Sequence, residues 1–212
     1  MSAATALCLL PAATSRAAPE IDALIAQLAR PAPAVTRFVE VRFSTLLAKP
    51  LVVSGELEYL GPGFLARVVQ TPFRERAEIR GESVLVTREG QKPRRFSLRR
   101  VTELNMLIAS FAALLSGDGA ALERVFTLDL ERQADEWQLA MTPRDARTRQ
   151  HIARIALSGR GAEVRCLTMT EPDADASILL LGAAPDTKLP EPIERPWLES
   201  FCDGARDSGP AG

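Results

Sequence analysis

The residues that could carry out catalysis are few and widely spaced. The chain of 212 residues contains one histidine, His151, and three cysteines, Cys8, Cys166 and Cys202. A Cys166 thiolate activated by His151 would be a nucleophile with its base, but the sequence suggests no third group to orient the histidine. A metal site needs several ligands at regular spacing, which one histidine and two distant cysteines do not supply. We therefore predict no enzyme activity, no metal and no cofactor.

The remaining polar clusters have structural explanations. Asp173 and Asp175 fall in a predicted turn, where aspartate is favoured, and a calcium loop would need more oxygen ligands. The Gly159-Arg160-Gly161 segment predicts a hairpin turn and precedes no helix that could bind phosphate. The arginines at 94, 95, 99 and 100 indicate a solvated sheet edge that resists pairing; the alternative is contact with anionic head groups or an acidic partner.

Charge and composition point to an apolar partner. Lys and Arg number 26, Asp and Glu number 27, and 46% of the residues are hydrophobic. This balance predicts no binding to nucleic acid, which requires a basic surface. We expect recognition through apolar surface, and we find no apolar run of the ~18 residues that a membrane span needs.

Two patterns of periodicity organise the chain. Apolar residues at Ile21, Leu24, Ile25 and Leu28 predict a helix over 19–30, and the segment 102–117 predicts a longer, nearly all-apolar helix that starts at Thr102. A short helical turn follows at 118–125. Period-two runs predict antiparallel strands, over 37–47, 52–60, 64–71, 74–81, 83–90, 94–100, 125–132, 136–143, 151–159, 163–171 and 176–183.

The role of the helices stays open at this point. Two helices could fill the inside of a sheet of this size as an ordinary core, which gives a packed α+β sandwich. Alternatively, they form a lid over an apolar cavity that holds a lipid chain, with each buried methylene contributing ~0.8 kcal/mol.

The two ends of the chain suggest three segments. Residues 1–17 predict a secretory signal peptide, with an apolar run and a Ser15-Arg16-Ala17 cleavage site but no basic residue before Arg16; a disordered leader is the alternative. Residues 18–184 form the domain, and 185–212 a Pro- and Gly-rich, partly ordered tail. In an oxidising compartment, Cys166 and Cys202 either form a disulfide or remain a buried thiol and a tail thiol.

The order of elements resembles the LolA family, periplasmic carriers of outer-membrane lipoproteins. Five segments carry the resemblance, which extends over residues 20–183: IDALIAQL, RFVEVRF, SGELEYLGPGFLARVVQTP, IRGESVLVTREG and FTLDL…WQLAMTPRD. It implies an α+β fold, an unclosed antiparallel β-barrel of about eleven strands with a helical lid over an apolar cavity. One position departs from the family: Gly61 stands where lipoprotein carriers have an arginine that latches the lid, and Arg67 is a candidate substitute.

The resemblance implies a monomeric periplasmic carrier. It would bind acyl chains of a lipoprotein or another lipid-linked cargo, receive them from an inner-membrane donor and pass them to an outer-membrane acceptor. The alternatives are a lipid-sensing regulatory module, a non-catalytic scaffold, and an enzyme built on Glu56, Tyr59 and Arg67. The predicted lipid-binding residues are Val41, Phe43, Val53, Leu57, Tyr59, Phe64, Val68, Ile79, Val86, Phe96, Leu104, Leu107, Ile108, Phe111, Leu115, Leu128, Trp137, Leu139 and Met169.

Overall fold

The computed structural model describes residues 17–98, 111–182 and 188–204. The predicted signal sequence, apart from Ala17, lies outside this range. So do most of the segment predicted as the long helix, with Leu104, Leu107 and Ile108, and the arginines at 99 and 100. The proposed division at 17/18 and 184/185 stays a prediction.

Eleven strands form one antiparallel sheet. Its spatial order is β6-β5-β4-β3-β2-β1-β11-β10-β9-β8-β7, so β6 and β7 are its two edges and the sheet is unclosed. The fold class predicted from the sequence is confirmed. The strands are β1 (Ala34–Phe43), β2 (Leu51–Gly61), β3 (Phe64–Thr71), β4 (Glu75–Arg80), β5 (Ser83–Arg88), β6 (Arg94–Ser97), β7 (Phe126–Gln133), β8 (Glu136–Pro143), β9 (Arg154–Arg160), β10 (Glu163–Thr170) and β11 (Ala176–Leu181).

The described helices are short and lie on both faces of the sheet. They are α1 (Ala17–Leu28), α2 (described over 111–116), α3 (Gly119–Val125), α4 (Ala146–Arg149) and α5 (Arg195–Cys202). Helix α2 ends at Gly117, whose φ of 77° favours glycine. The Asp118 carboxylate caps α3 by accepting a hydrogen bond of 2.9 Å from the amide of Ala121. No helix in the described part of the chain is long and apolar enough to cross a membrane.

One face of the sheet, which we call the inner face, carries α1, α2 and α3. The apolar side of α1, which includes Leu24 and Ile25, packs with Leu122 of α3 against Leu139 and Ile155 of the sheet. The amide of Arg30 donates a 3.0 Å hydrogen bond to the carbonyl of Leu115, which joins the end of α1 to α2. These helices cover the part of the sheet formed by β7 to β10.

The opposite face, which we call the outer face, is covered by α5. Leu198 and Phe201 of this helix pack against Val41, Ile178 and Leu180 of the central strands. A disulfide joins Cys202 to Cys166 of β10, with their Cα atoms 5.6 Å apart. The alternative of two free thiols therefore does not apply, and the sulfur of Cys166 is not available as a nucleophile. The C-terminal segment, expected to be only partly ordered, contributes a helix whose Leu198, Phe201 and Cys202 are buried.

Candidate functional site

An apolar cavity of about 890 Å³ lies between the helices and the inner face of the sheet. Phe111, Leu114 and Leu115 of α2 form one side of it, together with Leu28 of α1. The sheet supplies the opposite wall, through Thr36, Leu57, Tyr59, Leu65, Arg67, Ile79, Leu157, Val164, Leu167, Leu179 and Leu181. The volume falls within the ~300–1,000 Å³ typical of sites for small apolar ligands.

The strand register explains why these side chains face the cavity. Leu57 of β2 lies directly opposite Thr36 of β1 on one side and Arg67 of β3 on the other. Directly opposite residues in antiparallel strands project from the same face of the sheet. Leu65 in turn lies opposite both Tyr59 and Ile79, so one continuous wall runs across four strands.

Sixteen of the nineteen predicted lipid-binding residues lie within the described part of the chain, and they divide into three groups. Those that line the cavity are Leu57, Tyr59, Ile79, Phe111 and Leu115. Those that lie elsewhere on the inner face are Val53, Val86, Phe96, Leu128, Trp137, Leu139 and Met169. Those that lie on the outer face are Val41, Phe43, Phe64 and Val68.

The outer-face residues correct part of the prediction. Val41 and Phe43 pack beneath α5, and Phe64 contacts the guanidinium of Arg80, 4.4 Å from its ring centre. The sequence predicted that Val41 and Phe43 line the lipid site. In the structure Glu40 and Arg42 lie on the inner face of β1 instead, and the apolar side of this strand is covered by α5.

The inner face contains a buried charged cluster around Glu40. This glutamate is 4% exposed and accepts hydrogen bonds from Arg42, Arg67 and Ser177. Burial alone would raise its pKa, but the Ser177 hydrogen bond and the charges of Arg67 and Arg42 outweigh it and hold the pKa below its usual value. Glu40 is therefore an ionised, fully engaged carboxylate at neutral pH.

The other residues considered as catalytic or metal-binding candidates lie in turns and loops. Asp173 and Asp175 lie in a turn, where the Asp175 carboxylate accepts a 2.9 Å hydrogen bond from the amide of Thr45. His151 is exposed and precedes β9, which begins at Arg154, later than predicted. Within the three described ranges, no group of three or more His, Cys, Asp or Glu side chains is arranged to hold a metal ion.

The position where the family has its latch arginine has a distinct backbone. Gly61 ends β2 with a φ of 132°, a conformation that a residue with a Cβ adopts only with strain. Arg67 of β3 projects from the inner face instead and lines the cavity. The sequence of β3 does not show to which face Arg67 projects. The pairing of Arg67 with Leu57 places it on the inner face.

A family model described as outer membrane lipoprotein carrier protein LolA-like matches residues 12–198. The chain belongs to this family. Its members are carriers, for which binding rather than catalysis is typical, and the family suggests a location in the cell envelope. Among curated proteins, no sequence matches this chain.

Two solved structures show limited similarity. A LolA superfamily protein from Nitrosomonas europaea is 12% identical, with 85% of this chain and 98% of that chain covered and a TM-score of 0.43. LprF from Mycobacterium bovis is 12% identical, with 84% and 99% covered and a TM-score of 0.37.

Several cavity residues were not predicted from the sequence. They are Leu28, Leu65, Leu114, Leu157, Val164, Leu167, Leu179 and Leu181. On β9 to β11, the run of apolar residues on both faces hid which side chains point inward. On β3, the segment FLARVVQT has apolar residues on both sides, so the parity of Leu65 could be read only from its partner strands.

Proposed function

We propose that this protein is a periplasmic carrier that binds acyl chains of a lipoprotein or another lipid-linked cargo in its cavity. It receives the cargo at the inner membrane and releases it at the outer membrane. Membership of the LolA-like family supports the class of function. The observation that carries the proposal for this chain is the cavity of about 890 Å³ between the described parts of α1 and α2 and the inner face of the sheet.

The size and lining of the cavity suit a reversible acyl-chain site. About ten buried methylenes would contribute roughly 8 kcal/mol. That energy corresponds to a dissociation constant in the micromolar range before the cost of ordering the chain. An affinity of this order permits both loading and release.

The compartment and route are parts of the same proposal. A disulfide between Cys166 and Cys202 is favoured in oxidising compartments such as the periplasm, and the apolar N-terminal run agrees with secretion. Donor and acceptor are proposed from the family's function. A monomeric state is likewise proposed from the family's function.

The proposal is tested by titrating delipidated protein with a fluorescent fatty-acid probe. We expect saturable binding with defined stoichiometry. The Leu57→Glu variant places a charge on the cavity wall and is expected to weaken binding by about a hundredfold or more, because a carboxylate next to an acyl chain loses its hydration.

The matched control is Leu60→Glu. Leu60 lies three residues further along the same strand and is 41% exposed, so the same substitution there should leave affinity within about threefold. Failure of correctly folded wild-type protein to take up the probe would overturn the proposal, as would equal effects of the two substitutions.

The direction of transport has its own test. Protein loaded with radiolabelled lipid-linked cargo from inner-membrane vesicles should deliver the label to outer-membrane vesicles after separation. Retention of the label by the protein, or return to the donor vesicles only, would contradict the proposed route and leave acyl binding unaffected.

A further inference from the structure

Arg67 brings a positive charge to the part of the cavity wall formed by Leu57, Leu65 and Ile79. It lies opposite Leu57 in the strand register, and its side chain is 31% exposed. The guanidinium contacts Glu40 through Nη2 and lies over the Phe38 ring, 5.0 Å from its centre. These contacts fix the group at the cavity surface rather than letting it extend into solvent.

The charge of Arg67 is only partly neutralised. Its partner Glu40 also forms an ion pair of 2.9 Å with Arg42 and accepts a hydrogen bond from Ser177. Two guanidinium groups therefore share one carboxylate, which leaves a net charge of about +1 in this cluster. A guanidinium has five N–H donors, and among the described residues only Nη2 of Arg67 has a hydrogen-bonding partner.

Two hydroxyl groups lie beside Arg67 on the same wall. Thr36 is in the same row of the sheet, across Leu57, and Tyr59 is the next inner-face residue along β2. Both side chains line the cavity, and neither hydroxyl has a hydrogen-bonding partner in the described part of the chain. A hydroxyl group can donate a hydrogen bond to an oxygen acceptor, so a ligand that places an anionic oxygen here would gain hydrogen bonds from both.

Most other charged groups around the cavity are engaged with partners. Arg160 and Arg165 lie 2.8 Å and 3.8 Å from the Glu136 carboxylate, and Glu58 pairs with Arg76. Arg30 donates to the carbonyl oxygens of Ala29 and Ala162, so its role is structural. Charges act more strongly on a ligand in an apolar cavity than in water, because the local dielectric constant is lower.

We propose that the cavity selects acyl lipids that carry an anionic oxygen group, a carboxylate or a phosphate, and that Arg67 binds this group with the hydroxyls of Thr36 and Tyr59 beside it. This inference rests on the proposed acyl-binding function and specifies its ligand. An oxyanion can accept two parallel N–H bonds from one guanidinium, while the acyl chain lies against Leu57, Leu65 and Ile79.

The test compares three ligands with the same sixteen-carbon chain in displacement of a fluorescent probe at pH 8. They are palmitate, 1-palmitoyl lysophosphatidic acid and the neutral 1-monopalmitoylglycerol. We expect at least one anionic lipid to bind about tenfold or more tightly than the neutral one, as charge-assisted hydrogen bonds would provide. The ratio of the affinities for palmitate and lysophosphatidic acid shows whether the cavity prefers a carboxylate or a phosphate.

Arg67→Gln is expected to reduce this preference to about threefold or less, with little change for the neutral lipid. The matched control is an arginine outside the Glu40 cluster. Arg42 is unsuitable as a control because it shares Glu40 with Arg67. Arg80→Gln serves instead: Arg80 does not contact Glu40, does not line the cavity and is 66% exposed, so its variant should retain the preference.

The outcomes separate the two proposals. If the three lipids bind wild-type protein equally, the inference about the anionic group is wrong and acyl binding stands. This comparison uses wild-type protein only, so it does not depend on whether a variant folds. An unchanged preference in folded Arg67→Gln protein also overturns it. If none of the three lipids binds, the proposed carrier function itself fails.

Discussion

The two halves of the inner face have similar strands but different coverage. On β8 and β9, the inward side chains Trp137, Leu139 and Ile155 are at most 3% exposed, because α1 and α3 pack over them. On β2 to β4, Leu57, Leu65 and Ile79 are only half-buried and face the cavity. Alternation of apolar residues thus builds both halves, and the position of the helices makes one a core and the other a candidate binding wall.

This contrast predicts different costs for the same substitution. Leu139→Ala removes a fully buried side chain beneath the helices and should lower the free energy of unfolding by about 2–5 kcal/mol. Leu57→Ala on the cavity wall should cost about 1 kcal/mol or less, since its side chain already borders a void. Urea denaturation of both variants gives the comparison directly. Equal costs would show that the two halves are packed alike.

A smaller effect is expected at α3, which packs over the inward side chains of β8 and β9. Asp118→Ala removes the side-chain cap of α3 and should cost about 1 kcal/mol, as lost N-caps do. Asp118→Asn, which keeps an acceptor at this position, is the control and should cost less. A negligible effect of the alanine variant in thermal unfolding would mean that α3 does not depend on its cap.

The last effect is a dependence on pH and concerns the cluster around Glu40 of β1. Because the folded-state pKa of Glu40 lies below its unfolded value of ~4.3, its ionisation stabilises the protein above that pH. The contribution is lost as the pH falls through the folded-state pKa. Wild-type protein should therefore lose more stability between pH 6 and pH 3 than Glu40→Gln does.

The control for this pH measurement is Glu123→Gln, which removes a charge from an exposed position on α3. Its pH dependence of unfolding should follow that of the wild type. Identical curves for Glu40→Gln and the wild type would show that the cluster does not stabilise the ionised carboxylate.

The sequence predicted the strands better than their faces. All eleven strands and the first helix lie close to their predicted positions, because each strand alternates and most end at Gly, Pro or Asp turns. The assignment of β1 was wrong, since alternation indicates that two faces differ but not which one points inward. Glu40 gave the misleading signal: it is charged, yet its pairing with Arg67 and Ser177 depends on strands distant in sequence.

Other features depended on long-range packing as well. Helix α5 has a Pro-rich approach and only eight residues, so local propensity gave little indication of it. Its burial depends on the apolar outer face of the central strands and on the bond from Cys202 to Cys166. The cavity too is a property of how the helices sit on the sheet, and no pattern within one element specifies its volume.

We propose above that an acyl chain occupies the half of the inner face formed by β2 to β4, where Leu57, Leu65 and Ile79 line the cavity. This proposal is tested most directly by methyl NMR of the protein with a stearate that carries a spin label near the end of its chain. We predict strong broadening of the methyl signals of Leu57, Leu65 and Ile79, and weak broadening of those of Leu139 and Ile155. Broadening confined to exposed methyls such as those of Leu46, or none at saturating ligand, would contradict the claim.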